Sequence, residues 1–285
     1  KQKAILDAQG QAEATRQVAD AEKYRQLTVA EGQAEAVRSV YAAIHEGNPT
    51  PDLLAIKYLV FDQKECSLET LVKALKANWK GYETLRAKSV YRAPKYGRDD
   101  DEADRMASSV MKLWCEEVWK HRTKSTNRQF RPGMLSWNYW VSDGFILPAS
   151  PDGRPKGRFL SNAICPVSGA DINGPTANMN SVGKALGGKV KEGMGDWKEF
   201  LNSLPNGASH TISLSPAMLK NPEQKAKFKA FLRGAVESGG TSLQINMLDA
   251  AMLRDAQERP EEYRSLLVRI TGYNAYFTAI GHELQ

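Results

Sequence analysis

The 285-residue chain has few cysteines and no long hydrophobic run. The first feature argues against a disulfide-stabilised protein, and the second argues against a membrane-spanning one. Its three cysteines, Cys66, Cys115 and Cys165, are odd in number and lack metal-ligand spacing. This pattern favours reduced thiols in a cytoplasmic protein over a disulfide framework. No apolar segment approaches the roughly 20 residues that a membrane-spanning helix needs. We therefore expect a cytoplasmic protein with no direct membrane span.

A dense basic cluster is also absent, although the formal net charge is +6. Residues 1–46 hold six Lys/Arg and seven Asp/Glu, so the positive excess is spread over the rest of the chain. Spread charge does not favour nucleic-acid binding. His45, His121 and His282 have no second ligand at metal spacing, so no metal site is expected. For His210, in a predicted strand, a hydrogen-bonded structural role is favoured over an acid or base facing a pocket.

The first segment carries an eleven-residue repeat. Residues 8–40 divide into three blocks of eleven, each opening with Ala and closing with Val. This period is about 3.67 residues per turn and predicts a long, nearly straight, Ala-rich helix. Its apolar stripe is thin, so we expect the helix to need a partner, as in a homo-oligomeric coiled coil. A solvated connecting helix is the alternative.

Glycine and two prolines in residues 47–51 end this helix, and a new helix can begin at Asp52. Together with residues 42–59, the first segment resembles the distal helix of stomatin-like proteins of the band 7 (SPFH) family, which are membrane-associated, ring-forming scaffolds. The membrane anchor and globular domain of that family have no counterpart in this sequence, so the membrane role is not carried over. The first domain is expected to be residues 1–56.

After residue 57 the predicted helices and strands alternate, which is an α/β pattern. The predicted helices are 67–81, 101–121 and 175–186, and the predicted strands are 210–214, 241–247 and 266–270. Residues 130–175 are rich in Pro, Gly, Asn and Trp, and predict ordered loops with short extended pieces such as 144–147.

The helix predicted over 101–121 has two sequence features that the structure can test. Its apolar face is predicted to consist of Met106, Val110, Leu113, Trp114 and Val118. Cys115, next in sequence to this face, is interpreted as a helix residue near the core and not as a catalytic thiol.

Near the C-terminus, Gly272 lies between an apolar run and two aromatic residues, within Arg269-Ile-Thr-Gly-Tyr273. Alone, this pattern also fits a strand that runs into a glycine turn. Further motifs precede it in order: Leu71–Glu83, Lys95–Asp100, Ser150-Pro-Asp-Gly-Arg154, Gly169–Ala177 and Gln244–Asp249. Together they resemble the C-terminal motifs of glycyl radical enzymes, the anaerobic family that includes pyruvate formate-lyase.

This resemblance implies that residues 57–285 form the C-terminal region of such an enzyme, with the second half of a ten-stranded α/β barrel. Gly272 would carry the radical, because a Cα radical is delocalised best when the carbon can flatten and glycine has no side chain to prevent this. Arg269 and Tyr273 would shape and recognise the radical loop. Substrate-pocket candidates are Asp152, Arg154, Thr176 and Asn246. No cofactor would be bound, since a radical-SAM activating enzyme would install the protein-derived radical.

The family's cysteine loop, which carries the thiyl radical, has no match in the sequence, so this chain alone is expected to be inactive and its half barrel marginally stable. The reaction stays open among formate C-acetyltransferase, dehydratase, lyase and decarboxylase chemistry. Two alternatives from other classes are an oligomeric SPFH-type scaffold and a spare-part protein that restores the radical of a damaged enzyme. The joining of the two segments is consistent with a natural, an engineered or a misassembled fusion.

Overall fold

The computed structural model describes residues 19–24, 48–130, 132–186, 208–238, 242–270, 273–282 and 285. Of the predicted N-terminal helix, only residues 19–24 fall within this set, and they are helical. The elements are α1 (Thr50–Ile56), a π-helix (Lys57–Asp62), α2 (Leu68–Lys76), α3 (Glu83–Tyr91), α4 (Asp101–Trp119), α5 (Tyr139–Ile146), α6 (Pro175–Ala185), β1 (Ser209–Leu214), α7 (Pro222–Glu237), β2 (Ser242–Met247), α8 (Ala250–Glu258), β3 (Leu267–Ile270) and β4 (Tyr273–Tyr276). In the part of the chain so described, no helix is both long and apolar enough to cross a membrane.

Helix α4 begins at an N-cap that the sequence supplies. The Asp100 carboxylate accepts hydrogen bonds from the backbone N–H groups of Glu102 and Ala103, at 3.0 and 2.9 Å. Such a cap satisfies donors that the first turn of a helix leaves without partners. The confirmed start at Asp101 therefore follows from local chemistry.

The predicted apolar face of α4 is only partly correct, since Met106 packs against the main core but Leu113 and Trp114 do not lie in it. The helix buries a stripe in which small residues predominate, Ala103, Ala107, Met111 and Cys115, at i, i+4 spacing. Leu113 and Trp114 are instead 61% and 45% exposed. Small side chains let α1 and α6 approach the helix axis closely, and this close approach determines which face is buried.

The main core joins residues that are far apart in sequence. Leu54 of α1 packs in one cluster with Tyr96, Met111, Ile164 and Leu186. The buried Tyr96 hydroxyl donates to the carbonyl of Ile164 at 3.1 Å, so its polar atom is satisfied. Residues 48–56, which were predicted to belong to the first segment, therefore pack into the same body as the residues that follow them.

Strands β1 and β2 form a parallel pair in the register Ser209↔Ser242 to Leu214↔Met247. Parallel strands need a crossover connection, and α7 supplies it. Phe231 of α7 packs against Met179 of α6 and against Ile212 of β1 in a second apolar cluster. Both predicted strands are confirmed, and each is followed by a helix as expected.

The third predicted strand is confirmed as β3, but it does not extend the parallel sheet. It pairs antiparallel with β4, an unpredicted strand, and Ile270 lies opposite Tyr273. The two pairs are separate two-stranded sheets among the residues that the structure describes. A mixed helix and sheet fold is confirmed, whereas the ten-stranded barrel stays a prediction.

The loops predicted between 130 and 175 are present, but the extended piece predicted at 144–147 is wrong. Residues 144–146 end helix α5, and only Leu147 is extended. A Cβ on Gly144 would stand 2.5 Å from the Cα of Phe159, so the close contact between α5 and residues 158–159 requires glycine. Helix α3 was not predicted from the sequence.

Candidate functional site

A cavity of about 590 Å³ lies between residues 162–178, the carboxyl ends of β1 and β2, and strand β3. In open α/β sheets, ligands bind preferentially outside the carboxyl ends of the strands. The lining mixes apolar residues with hydrogen-bonding side chains. The polar lining residues include Asn162, Ser168, Asp171, Asn178, Thr211, Ser213, Asn246 and Arg269.

The predicted radical residue, Gly272, lies outside the described residues, but the strands on either side of it are described. Arg269 and Ile270, at the end of β3, line the cavity. Tyr273 begins β4, and its ring stacks on Trp137 with centroids 6.3 Å apart. The guanidinium of Arg269 donates to the Oδ1 atom of Asn274 at 3.3 Å. The two predicted loop residues therefore lie in a hairpin that borders the cavity.

The four predicted pocket residues are not brought together. Asn246 lines the cavity, whereas Thr176 is exposed in the first turn of α6. Asp152 and Arg154 lie elsewhere, in a network with Asp52. Among the described residues, only Asn246 of the four lines the cavity, and a role of all four in a substrate pocket stays a prediction.

The network around Asp52 holds the turn at residues 150–154. The N–H of Asp152 donates to the Asp52 carboxylate at 2.9 Å, and the Ser150 hydroxyl donates to the Asp152 carboxylate at 2.6 Å. Arg154 donates to the carbonyl of Arg158 at 2.8 Å. Burial raises the pKa of Asp52 well above its ordinary value, and the nearby charge of Asp152 adds to this. These contacts give Asp152 and Arg154 a structural role.

Sequence reasoning missed a line of polar contacts that begins at the cavity wall. The Asn178 amide donates to the Asp171 carboxylate at 2.9 Å, and His210 Nε2 lies 2.9 Å from Asn178 Oδ1. Since Asn178 donates through its nitrogen, its oxygen must accept, so His210 carries its proton on Nε2. Burial lowers the pKa of His210 to about 4, so the ring is neutral at pH 7. His210 thus has the structural role that the sequence favoured.

Two family models match the part of the chain that forms this site. The pyruvate formate lyase-like model matches residues 46–142, and the glycine radical model matches residues 160–278, which include position 272. This part of the chain belongs to the glycyl radical enzyme family. The stomatin-like resemblance was drawn on residues up to 59, which overlap the match that begins at residue 46, and neither family model supports it.

Glycyl radical enzymes with known activities are similar to the chain over most of its length. Trans-4-hydroxy-L-proline dehydratase from Clostridioides difficile is 32% identical over 239 residues, which are 84% of this chain and 28% of that enzyme. (2S)-3-sulfopropanediol dehydratase from Klebsiella oxytoca is 32% identical over 238 residues, 82% of this chain and 27% of that enzyme. The chain thus spans about 28% of the length of the first of these relatives.

Solved glycyl radical enzymes share the fold. The B12-independent glycerol dehydratase from Clostridium butyricum superposes with a TM-score of 0.73 at 32% identity, over 84% of this chain and 28% of that structure. A glycyl radical enzyme from Archaeoglobus fulgidus superposes with a TM-score of 0.70 at 34% identity, over 82% of this chain and 28% of that structure. The described fold is therefore a portion of a glycyl radical enzyme fold.

Within this glycyl radical enzyme region, one cysteine lines the cavity. The Cys165 sulfur accepts the N–H of Thr211 at 3.2 Å. Burial raises the pKa of Cys165 to about 12 and that of Cys115 to about 11. Both groups are therefore neutral thiols at pH 7, and neither is an activated nucleophile.

The three thiols should differ in reactivity. We expect a maleimide at pH 8 to label Cys66 at least about tenfold faster than Cys115 or Cys165, because Cys66 is half-buried and the other two are buried. Peptide mass spectrometry at timed quench points measures each rate. The variant Cys66→Ser should lose the fast phase and keep the slow ones. Labelling of Cys165 at the Cys66 rate would show that the cavity wall opens readily.

Proposed function

We propose that residues 57–285 act as the radical-bearing region of a glycyl radical enzyme and that Gly272 is the radical site. The match of the glycine radical model over residues 160–278 carries this proposal. The partner is a radical-SAM activating enzyme, whose carbon radical takes one hydrogen atom from the Gly272 Cα. The unpaired electron then stays on the Cα carbon, so no further cofactor is bound.

The reaction we propose is an elimination of the dehydratase or lyase type. Three of the similar proteins named above are dehydratases, and isethionate sulfite-lyase from Desulfovibrio desulfuricans is 30% identical over 241 residues. The cavity lining suits a small hydroxylated substrate, because Asn162, Ser168, Asp171 and Thr211 offer hydrogen-bonding groups. Arg269 and Tyr273 shape the radical loop, and Asn246 and Thr176 remain candidates for contact with substrate.

The thiyl cysteine of the proposed mechanism has to come from outside residues 57–285. Cys66, Cys115 and Cys165 are not flanked by the family's cysteine-loop sequence. The proposed activity therefore requires the remainder of a glycyl radical enzyme fold. The scaffold role of residues 1–56 is a separate hypothesis, which comparison of the oligomeric state with and without residues 1–50 would test.

A second candidate function is the spare-part role, in which this region docks onto an enzyme that lacks an intact radical loop. The observation that favours it is the exposure of several large apolar side chains, since a docked partner could cover them. Leu113, Trp114 and Ile146 are 61%, 45% and 72% exposed. Restoration of activity to a relative truncated before its own radical loop would support this role.

Radical formation tests the primary proposal. Anaerobic incubation of the full chain with a radical-SAM activating enzyme, S-adenosylmethionine and a reductant should give a doublet in the electron paramagnetic resonance spectrum. The remaining Cα hydrogen causes this splitting, so protein labelled with [2,2-²H₂]glycine, in which both Cα hydrogens are deuterium, should show a collapsed doublet. The variant Gly272→Ala should give no signal.

The matched control is Gly281→Ala, which changes another glycine close to the C-terminus and should keep the doublet. The activating enzyme is first shown to be active on its own partner enzyme. Under that condition, a spectrum without a doublet for the unmodified chain contradicts the proposal, as does a doublet that survives in Gly272→Ala.

A further inference from the structure

The side chain of Asn246 connects the two sheets. Its amide nitrogen donates to the carbonyl of Arg269 at 3.0 Å, and its amide oxygen accepts the N–H of Arg269 at 3.1 Å. Asn246 belongs to β2, which pairs with β1, whereas Arg269 belongs to β3, which pairs with β4. One side chain thus satisfies both backbone polar groups of a residue in another sheet.

These two side-chain hydrogen bonds join β2 to β3, and no backbone hydrogen-bond ladder connects these two strands in the described residues. Between β2 and the β3–β4 hairpin, the residues that the structure describes form no other hydrogen bond. The backbone N–H of Arg269 can only donate and its carbonyl can only accept, so the orientation of the Asn246 amide is fixed. An aspartate at this position has the same shape but lacks the donor when ionised.

The apolar packing on either side of this contact is divided. Val268 and Phe277 pack with Ala256 in a cluster formed by residues 248–280. Ile212 and Phe231 belong to a different cluster, which covers β1 and β2. Since each sheet has its own apolar cluster, the Asn246 contact is well placed to set how the hairpin lies against β2.

We propose that Asn246 is a positioning residue that fixes β3 relative to the β1–β2 sheet. Arg269 precedes Gly272 by three residues and lines the cavity, so its position determines where the loop begins at the cavity wall. The link to radical chemistry rests on the proposed function of Gly272. The contact between Asn246 and Arg269 can be tested without any radical.

Hydrogen–deuterium exchange of the full chain tests this inference through Asn246→Asp. At pH 7 the aspartate is ionised, so it cannot donate to the Arg269 carbonyl, and its second oxygen repels that carbonyl oxygen. We expect this repulsion to open the contact as a whole, so the amide protection factor of the peptide containing Arg269 should fall at least about tenfold. Near pH 3.5 the protonated carboxyl group can both donate and accept, since an ordinary Asp titrates near 3.9. Protection relative to wild type at the same pH should then return. A purely steric role gives no such recovery.

Two variants serve as controls. Asn274→Asp makes the same chemical change in the same hairpin, but among the described residues this side chain accepts only from the Arg269 guanidinium, so backbone protection should stay within about twofold of wild type. Asn246→Ala should lose protection at both pH values. Peptides from α6 report global unfolding. If Asn246→Asp exchanges globally at pH 7, the uncharged Asn246→Ser takes its place and should show partial loss confined to the hairpin.

Protection of the Arg269 peptide within twofold of wild type in Asn246→Asp at pH 7 overturns the proposal. Loss that does not recover at low pH also overturns it, because the donor then has no role. Since neither measurement uses the activating enzyme, a failure here is distinct from a missing radical signal.

Discussion

Replacing Gly183 with alanine should lower the free energy of unfolding by about 3 kcal/mol, as is typical of overpacking against a rigid neighbour. Gly183 lies in α6, and a Cβ there would stand 2.5 Å from the carbonyl oxygen of Ser238 and 2.9 Å from its Cβ. Ser238 is buried and caps the C-terminus of α7. Because the nearest atom is backbone, one of the two helices has to move.

Gly234→Ala is the matched control, since it is the same change within the facing helix. A Cβ at Gly234 would meet only the flexible end of Met179, at 3.2 Å. Alanine is favoured over glycine in a helix by about 1 kcal/mol, so this variant should be neutral or slightly stabilised. Urea unfolding followed by circular dichroism measures both. Equal stability of the two variants would show that α6 and α7 are further apart than described.

The α6–α7 contact also matters for the proposed site. Helix α6 carries Asn178, which lines the cavity, and α7 is the crossover between β1 and β2. A shift of α6 away from α7 would move Asn178 relative to His210 on β1. We therefore expect the Gly183→Ala change to alter the cavity wall as well as stability.

The elements that the sequence predicted correctly have strong local signals. Pro175 lies at the first helical position of α6, and Asp100 caps α4. Strands β1 and β2 alternate polar and apolar residues and lie between turn-forming segments. Such signals need no knowledge of neighbours in space, so they can be read from one sequence.

The sequence predictions that were wrong concern features that depend on packing against residues distant in the sequence. In α4 the larger apolar residues, including Leu113 and Trp114, suggested the buried face, yet Ala103 and Ala107 are buried because they allow close helix contact. The sequence of α4 alone does not show which other helices will pack against it. The same limitation applies to β3, whose pairing with β4 depends on the whole hairpin.

The candidate site was predictable only in part for the same reason. Gly272 was predicted as the radical residue through an ordered series of motifs, but resemblance to a motif identifies a residue and says nothing of its contacts. Asp152 and Arg154 were predicted as pocket residues; their described contacts hold a turn, and a role in a substrate pocket stays a prediction. His210 and Asn178 are 32 residues apart in the sequence, and no local sequence pattern predicts their contact.

Acidification should destabilise the protein through His210. Burial lowers its pKa from the ordinary 6.5 to about 4, while the nearby Asp171 carboxylate opposes this shift. A depressed folded-state pKa contributes stability that is fully present above pH 6.5 and is lost as the pH falls towards 4, because the unfolded chain takes up the proton first. One pKa unit corresponds to about 1.4 kcal/mol, so the loss attributable to His210 is about 3 kcal/mol.

The variant His210→Gln isolates this contribution, because glutamine can still donate to Asn178 but does not titrate. Urea unfolding at pH 7, 6, 5 and 4 gives the free energy for each protein. We expect wild type to lose about 3 kcal/mol more than His210→Gln between pH 7 and pH 4. The exposed His121→Gln serves as the control and should follow wild type.

Parallel pH profiles for wild type and His210→Gln would mean that water reaches the imidazole in the folded state. The tautomer of His210 would then be unconstrained, and the orientation of Asn178 would depend on Asp171 alone. A steeper wild-type profile instead supports a cavity wall built on a neutral, buried imidazole. Such a wall presents the Asp171 and Asn178 side chains in one fixed arrangement, as the proposed recognition of a small hydroxylated substrate would require.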